Sequence, residues 1–277
     1  MKLILVPTDF SENANSAIEY ACALGASLQA DILVVNIFTP AVTKHNVVAP
    51  IIQDEINMAT KSAEEKLSVI ASTVKDQFPE IECSYQCLVG GVLESIESLV
   101  IEKSVDLIVM GTRGASGVSK VLFGSNTSAV IENAKCAVLA VPKDLPFKVP
   151  KKIIYATDFN DTELKKLVNI MAIGSAFNAE IMMTHITTDK DALESENLLK
   201  SNFAKRVSEI YDYPSISYFV KYEDDIMRAL ETIVSQVDAD WIAMLTHKRS
   251  FFEKLYNPSL TKEMSFHSKI PLLALKG

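Results

Sequence analysis

Leu3-Ile-Leu-Val-Pro-Thr-Asp-Phe10 returns as Ile153-Ile-Tyr-Ala-Thr-Asp-Phe159, a shift of 149 positions from Thr8 to Thr157. The next apolar run keeps that shift, since Ala30-Asp-Ile-Leu-Val-Val-Asn-Ile37 answers to Ala179-Glu-Ile-Met-Met-Thr-His-Ile186. Further along the shift falls to 134. There Val105-Asp-Leu-Ile-Val-Met110 matches Ala239-Asp-Trp-Ile-Ala-Met244, and Ala137-Val-Leu-Ala-Val-Pro142 matches Pro271-Leu-Leu-Ala-Leu-Lys276. The chain is therefore a tandem repeat whose first copy is 15 residues longer in its middle. The boundary lies in Lys143-Asp-Leu-Pro-Phe-Lys-Val-Pro150, where two prolines interrupt regular structure, and it gives domains over 1–146 and 147–277.

Each copy alternates strand-like and helix-like segments. In the first, apolar runs at 2–7, 32–38, 81–88, 106–110 and 136–141 have strand length, and 13–29, 53–77, 92–103 and 127–133 carry helical spacing. Leu107-Ile-Val-Met110 is apolar on both faces, as a parallel strand covered by helices requires. The expected fold is α/β: two tandem doubly wound domains, each a five-stranded, mainly parallel sheet with helices on both faces. Such sheets bind ligands beyond the carboxyl ends of their strands, where the strand order reverses.

Composition narrows the function. The 277 residues are 48% hydrophobic, which excludes global disorder, and the net charge is −8 with no basic run, which argues against nucleic acid. Residues 1–146 carry 10 Lys+Arg and 17 Asp+Glu, whereas the remainder is close to neutral. No apolar run has membrane-spanning length and the N-terminus runs straight into a strand, so a cytoplasmic protein is expected. Cys22, Cys83, Cys87 and Cys136 form neither a disulfide framework nor a C-x2-C pair; buried thiols are the expectation, and no metal site.

Four of the nine glycines, Gly111, Gly114, Gly117 and Gly124, fall within 14 residues after the fourth strand. Ser125-Asn126-Thr127 then offers caps to a helix expected near Thr127, and a helix N-terminus is an anion site. No G-x4-G-K-[ST] or G-x-G-x-x-G fingerprint is present. Gly111-Thr-Arg-Gly114, nine further residues and Gly124-Ser125 give G-x2-G-x9-G-[ST], which closely resembles the ATP-binding members of the universal stress protein family. The likeness extends to Pro7-Thr8-Asp9-Phe10-Ser11, Met110 and Val141-Pro142, and so spans the first copy.

That resemblance implies ATP, with Mg²⁺, as the ligand. Pro7, Thr8 and Asp9 would border ribose and adenine, Ile37 would meet the base, and Met110 and Gly111 would line the ribose side. Gly114, Gly124, Ser125, Asn126 and Thr127 would cradle the phosphates, and Arg113 could add a charge-assisted contact. Asp9 also suits a structural role, as a turn residue ahead of Ser11, and its duplicate Asp158 favours that role. Asn36 stands where many members have histidine, and Asn126 where an apolar residue is common; neither removes a backbone donor. The segment Thr39 to Pro50 reads as a loop.

The second copy lacks the glycine loop. Gly111, Gly114, Gly117 and Gly124 become Leu245, Lys248, Phe251 and Pro258, while Ser259 and Thr261 remain, so ATP is not expected there. His185 reads as a hydrogen-bonded strand-end residue, and His247, Lys248 and Arg249 as a solvated loop. The resemblance therefore implies a stress-response or regulatory nucleotide-binding module, with its two domains paired through their last strands, a possible homodimer, and a protein partner that the sequence does not identify. A slow ATPase or self-phosphorylating enzyme is the alternative, although no base accompanies Asp9, Ser125, Thr127 and Arg113. A nucleotide-free scaffold is the third reading.

Overall fold

The computed structural model describes residues 1–40, 49–112, 123–246 and 270–276, and the chain divides into two compact units, Met1–Phe147 and Lys148–Gly277. Arg113, Gly114 and Gly117, and in the second copy His247, Lys248, Arg249, Phe251 and Pro258, lie outside the described residues.

The first unit runs β1 (Leu3–Thr8), α1 (Glu12–Leu28), β2 (Asp31–Phe38), α2 (Ala49–Gln77), β3 (Cys83–Val89), α3 (Val92–Glu102), β4 (Leu107–Gly111), α4 (Ser125–Asn133) and β5 (Ala137–Val141). Its strands pair in parallel in the order β3-β2-β1-β4-β5, so the order reverses between β1 and β4. The register places Ile4 beside Ile32 and Leu107, and all three are buried. Helix α1 owes its position to small apolar residues at helical spacing. Ala14, Ala17, Ile18, Ala21 and Leu24 are buried and let it lie close over β1 and β4. It ends at Gln29, whose left-handed backbone closes the last turn by donating its N–H to the Gly25 carbonyl. Helix α2 begins at Ala49 rather than in the loop expected up to residue 50, because Pro50 in a first turn gives up no intrahelical hydrogen bond.

The second unit repeats the plan with β6 (Lys152–Ala156), a 3₁₀ helix (Asp161–Lys166), α5 (Val168–Phe177), β7 (Glu180–Thr187), α6 (Leu193–Ile210), β8 (Ile216–Tyr222), α7 (Ile226–Val237), β9 (Trp241–Thr246) and β10 (Leu272–Lys276). Its parallel order is β8-β7-β6-β9-β10. Ala229, Leu230 and Ile233 of α7 close over Ile154, Met182 and Ile186 as one apolar cluster. Met182 and Met183 are core residues. The fold is thus α/β with two tandem parallel-sheet domains.

Among the described residues, no helix is long and apolar enough to cross a membrane, and no three His, Cys, Asp or Glu groups gather as a metal site. Burial pushes the Cys83 thiol up to about 11 and those of Cys22 and Cys136 up to about 12, so these thiols stay protonated and poorly reactive near neutral pH.

An aspartate fastens the first strand of each copy. Asp106 Oδ2 accepts the N–H groups of Lys2 and Leu3 at 2.6 and 3.2 Å, and Asp240 Oδ2 accepts those of Lys151 and Lys152 at 2.7 and 2.9 Å. In the repeat these aspartates stand in equivalent places ahead of β4 and β9. Asp106→Ala and Asp240→Ala are each expected to lower stability by about 1–3 kcal/mol, as measured by urea denaturation followed by circular dichroism.

Candidate functional site

The site of the first unit grows from one turn. After β1, Phe10 adopts a left-handed backbone with φ of 61°, which costs a side-chain-bearing residue roughly 1–2 kcal/mol. Thr8 offsets it, its Oγ1 accepting the Phe10 N–H at 3.0 Å. Asp9 Oδ1 accepts the Ser11 N–H at 3.0 Å, and Ser11 Oγ caps α1 by accepting the Ala14 N–H at 3.2 Å. This oxygen of Asp9 therefore serves the turn. From the neighbouring strand, buried Asn36 donates Nδ2–H to the Thr8 carbonyl at 2.8 Å and fixes the end of β1 against β2.

The other wall comes from β4 and α4. Thr112 donates its N–H to the Val141 carbonyl at 3.0 Å, and Gly124 returns an N–H to the Thr112 carbonyl at 2.8 Å. Gly124 itself is the cap of α4, in extended conformation and with no side chain to bond the first turn. The helix therefore starts at Ser125, two residues earlier than the sequence suggests. Thr127 does not cap it: its hydroxyl, buried, donates to the Gly111 carbonyl at 2.9 Å and ties the helix to the end of β4. The Gly124 N–H is likewise committed to Thr112. The groups left for an anion are those at the start of α4, where first-turn N–H groups have no intrahelical acceptor and the helix dipole favours negative charge.

These elements enclose a cleft of about 310 Å³ at the carboxyl ends of β1 and β4. Pro7, Thr8, Asp9, Ile37, Met110, Gly111, Gly124, Ser125, Asn126 and Thr127 all line it, and Arg113 and Gly114 lie outside the described residues. Ala14, Val35 and Val92 line it as well, and sequence reasoning did not single them out. An alanine on a helix face and a valine inside a strand carry no chemical signal beyond burial. Val92 opens a helix directly after Gly90-Gly91, and that glycine pair was the available cue. The cleft has two characters: Val35, Ile37, Val92 and Met110 are apolar, while Ser125, Asn126 and the first turn of α4 offer hydroxyl, amide and N–H groups.

Gly111 has a cause within the protein. A Cβ placed there would lie 2.8 Å from the Asn13 carbonyl oxygen and 3.1 Å from its carbon, both backbone atoms of α1. The close approach of α1 to β4 therefore needs glycine whether or not a ligand is bound. At the equivalent position the second unit has buried Leu245, and its segment equivalent to the first turn of α1 is a 3₁₀ helix.

The turn itself is conserved in the second unit. Phe159 has φ of 52°, Thr157 Oγ1 accepts its N–H at 2.9 Å, and His185 Nδ1 lies 2.8 Å from the Thr157 carbonyl, in the role that Asn36 plays for Thr8. His185 is a hydrogen-bonded strand residue, with Asp158 Oδ1 at 3.6 Å and Glu196 Oε2 at 3.5 Å from its two ring nitrogens. One residue differs in kind. Glu163, equivalent to Ala14, is 5% exposed and accepts hydrogen bonds from the Thr157 hydroxyl at 2.9 Å, the Tyr155 hydroxyl at 3.1 Å and the Asp158 N–H at 3.1 Å. Burial holds its carboxyl above the ordinary value despite these three donors.

Two outcomes follow from this geometry. Gly111→Ala is expected to lose about 1–3 kcal/mol in thermal denaturation without any added ligand, because the clash is with backbone. For Glu163 the folded protein holds the proton more tightly than the unfolded chain does. Its stabilising contribution is therefore full below about pH 4.3, the ordinary glutamate value, and is lost as pH rises through the raised folded value. Denaturation of the wild type and of Glu163→Gln across pH 4 to 8 should show a stability difference that shifts against the wild type with rising pH and then levels.

The universal stress protein family model matches residues 1–142. Universal stress protein MJ0531 of Methanocaldococcus jannaschii is 27% identical over 149 residues, which cover 51% of this chain and 82% of that protein. Universal stress protein Slr1230 of Synechocystis is 24% identical over an alignment of 299 positions that takes in the whole of both chains. A universal stress protein from Archaeoglobus fulgidus has the same fold over 99% of this chain and 96% of its own, with a TM-score of 0.70 at 20% identity. With half of its length matched by the family model and its whole length aligned to a family member, this chain belongs to the universal stress protein family.

Proposed function

We propose that the first domain binds ATP, carried as its Mg²⁺ complex, and that the chain works as a stress-response or regulatory nucleotide-binding module. The observation that carries this reading is the two-sided cleft: apolar Ile37, Val35 and Met110 suit an adenine ring, and the start of α4 suits polyphosphate. Its volume of about 310 Å³ lies within the range of small-molecule sites. The acidic side chain in the lining, Asp9, already gives one oxygen to the Ser11 N–H. Mg²⁺ is therefore assigned to the phosphate oxygens of the incoming nucleotide. What these residues do is hold and orient: Thr8 and Asn36 keep the end of β1 rigid, and Thr127 keeps α4 aimed at the phosphates.

Calorimetric titration of the full chain with Mg-ATP tests this reading, with Gly124→Pro beside the wild type. Proline tolerates the φ of −62° found at Gly124, but it removes the N–H that bonds Thr112 and sets a ring at the mouth of the cleft. The wild type should bind with a stoichiometry near one, and the variant at least about tenfold more weakly, a loss of about 1.4 kcal/mol. Absence of heat at any reachable concentration, after prebound nucleotide has been excluded, overturns the assignment.

A further inference from the structure

The second unit keeps the turn on which the cleft of the first is built, and sets a carboxylate against it. Thr8 and Ala14 both line the first unit's cleft. Their equivalents, Thr157 and Glu163, are hydrogen-bonded to each other, and the Glu163 carboxylate gathers the Thr157 hydroxyl, the Tyr155 hydroxyl and the Asp158 N–H. Tyr155 replaces Val6 of the first copy, so both the acceptor and one of its donors are particular to the second copy. Three donors converging on a carboxyl group that is 5% exposed form a carboxyl-binding arrangement that the protein fills from its own chain. We propose that the residue at this place decides whether a domain takes nucleotide: Ala14 leaves the cleft beside the Thr8 turn open, and Glu163 is the built-in occupant of the matching space beside Thr157. The half of this inference that concerns Ala14 rests on the ATP reading above; the half that concerns Glu163 does not.

The packing of the turn explains how a single side chain reaches this place. Positions 14 and 163 lie six residues beyond the threonine in both copies, at the start of the first helical segment, so a long side chain there reaches back over the turn. Alanine ends before it reaches the threonine hydroxyl. Glutamate reaches it, and brings a negative charge to the ground that the first domain offers to a ligand.

Two measurements on the full chain test the proposal. In the first, Glu163→Ala opens the carboxyl-binding arrangement, and acetate, a free carboxylate, should raise the melting midpoint of the variant by several degrees more than chloride at equal ionic strength, with no such difference in the wild type. Equal shifts with acetate and chloride would overturn the occupant assignment. Should Glu163→Ala not fold, Glu163→Gln replaces one acceptor oxygen by an amide that faces donors; its midpoint at pH 6 is expected below that of the wild type, and an unchanged midpoint would overturn the assignment. In the second, Ala14→Glu should weaken Mg-ATP binding at least about a hundredfold in titration, with a far-ultraviolet circular dichroism spectrum equal to that of the wild type. A variant Ala14→Glu that binds as the wild type does would overturn the role of this position. A wild type that binds no nucleotide would instead overturn the ATP reading and with it the Ala14 half, leaving the acetate measurement to decide the Glu163 half.

Discussion

The hydrogen bond from the Phe10 N–H to the Thr8 hydroxyl, with its counterpart between Phe159 and Thr157, is the constraint on which each domain is assembled. A phenylalanine with positive φ is held against its own preference, and the threonine oxygen offers the displaced N–H a partner. The reversal sends the chain from the end of the first strand back over the sheet, where the small face of α1 can approach β1 and β4. The carbonyl of the same threonine takes a second bond from the neighbouring strand, given by Asn36 in one copy and His185 in the other. Two chemically different side chains fill one donor role. An amide in place of the family's frequent histidine therefore leaves this geometry unchanged.

Glycine enters the first site for two separate reasons. Gly111 is required by the backbone of α1 at Asn13, a matter of packing. Gly124 leaves the cap of α4 without a side chain, a matter of access. The second unit shows that the first requirement belongs to the α-helical turn, not to the sheet: with Leu245 on β9, the chain after the Thr-Asp-Phe turn winds as a 3₁₀ helix. Close packing at Gly111 and a helix cap without a side chain at Gly124 thus use the same residue type along one cleft, and a glycine-rich loop read from sequence cannot separate the two causes.

The tandem organisation, the strand positions and the switch point were legible because they depend on periodicity and on repetition over many residues. Single hydrogen bonds were not. Ser125-Asn126-Thr127 carries the composition of a helix cap, yet the Thr127 hydroxyl turns to the Gly111 carbonyl, and the helix begins beneath a glycine. Asp9 was legible in its turn role, because Asp two residues before Ser is a local pattern whose partner is close in sequence. Ala14, Val35 and Val92 line the cleft through the fold alone and bear no functional group that a sequence pattern could flag. Glu163 was not legible in the sequence. A glutamate in the first turn of a helix is ordinarily solvated, and only the structure shows it turned inward to Thr157, Tyr155 and Asp158.

The second copy shows what a cluster of converging donors demands of a protein. A hydroxyl or N–H removed from water without an acceptor costs about 1–3 kcal/mol, so the Thr157 and Tyr155 hydroxyls and the Asp158 N–H need an acceptor within the protein. An apolar residue at position 163 would cover Thr157, Tyr155 and the Asp158 N–H without satisfying them. A carboxylate satisfies all three, and its own burial cost appears in the upward displacement of its proton affinity. The balance favours glutamate because three donors converge on one side chain, each at ordinary hydrogen-bond length. The same convergence fixes the Thr-Asp-Phe turn of the second domain, which keeps the left-handed phenylalanine and the threonine hydrogen bond of the first.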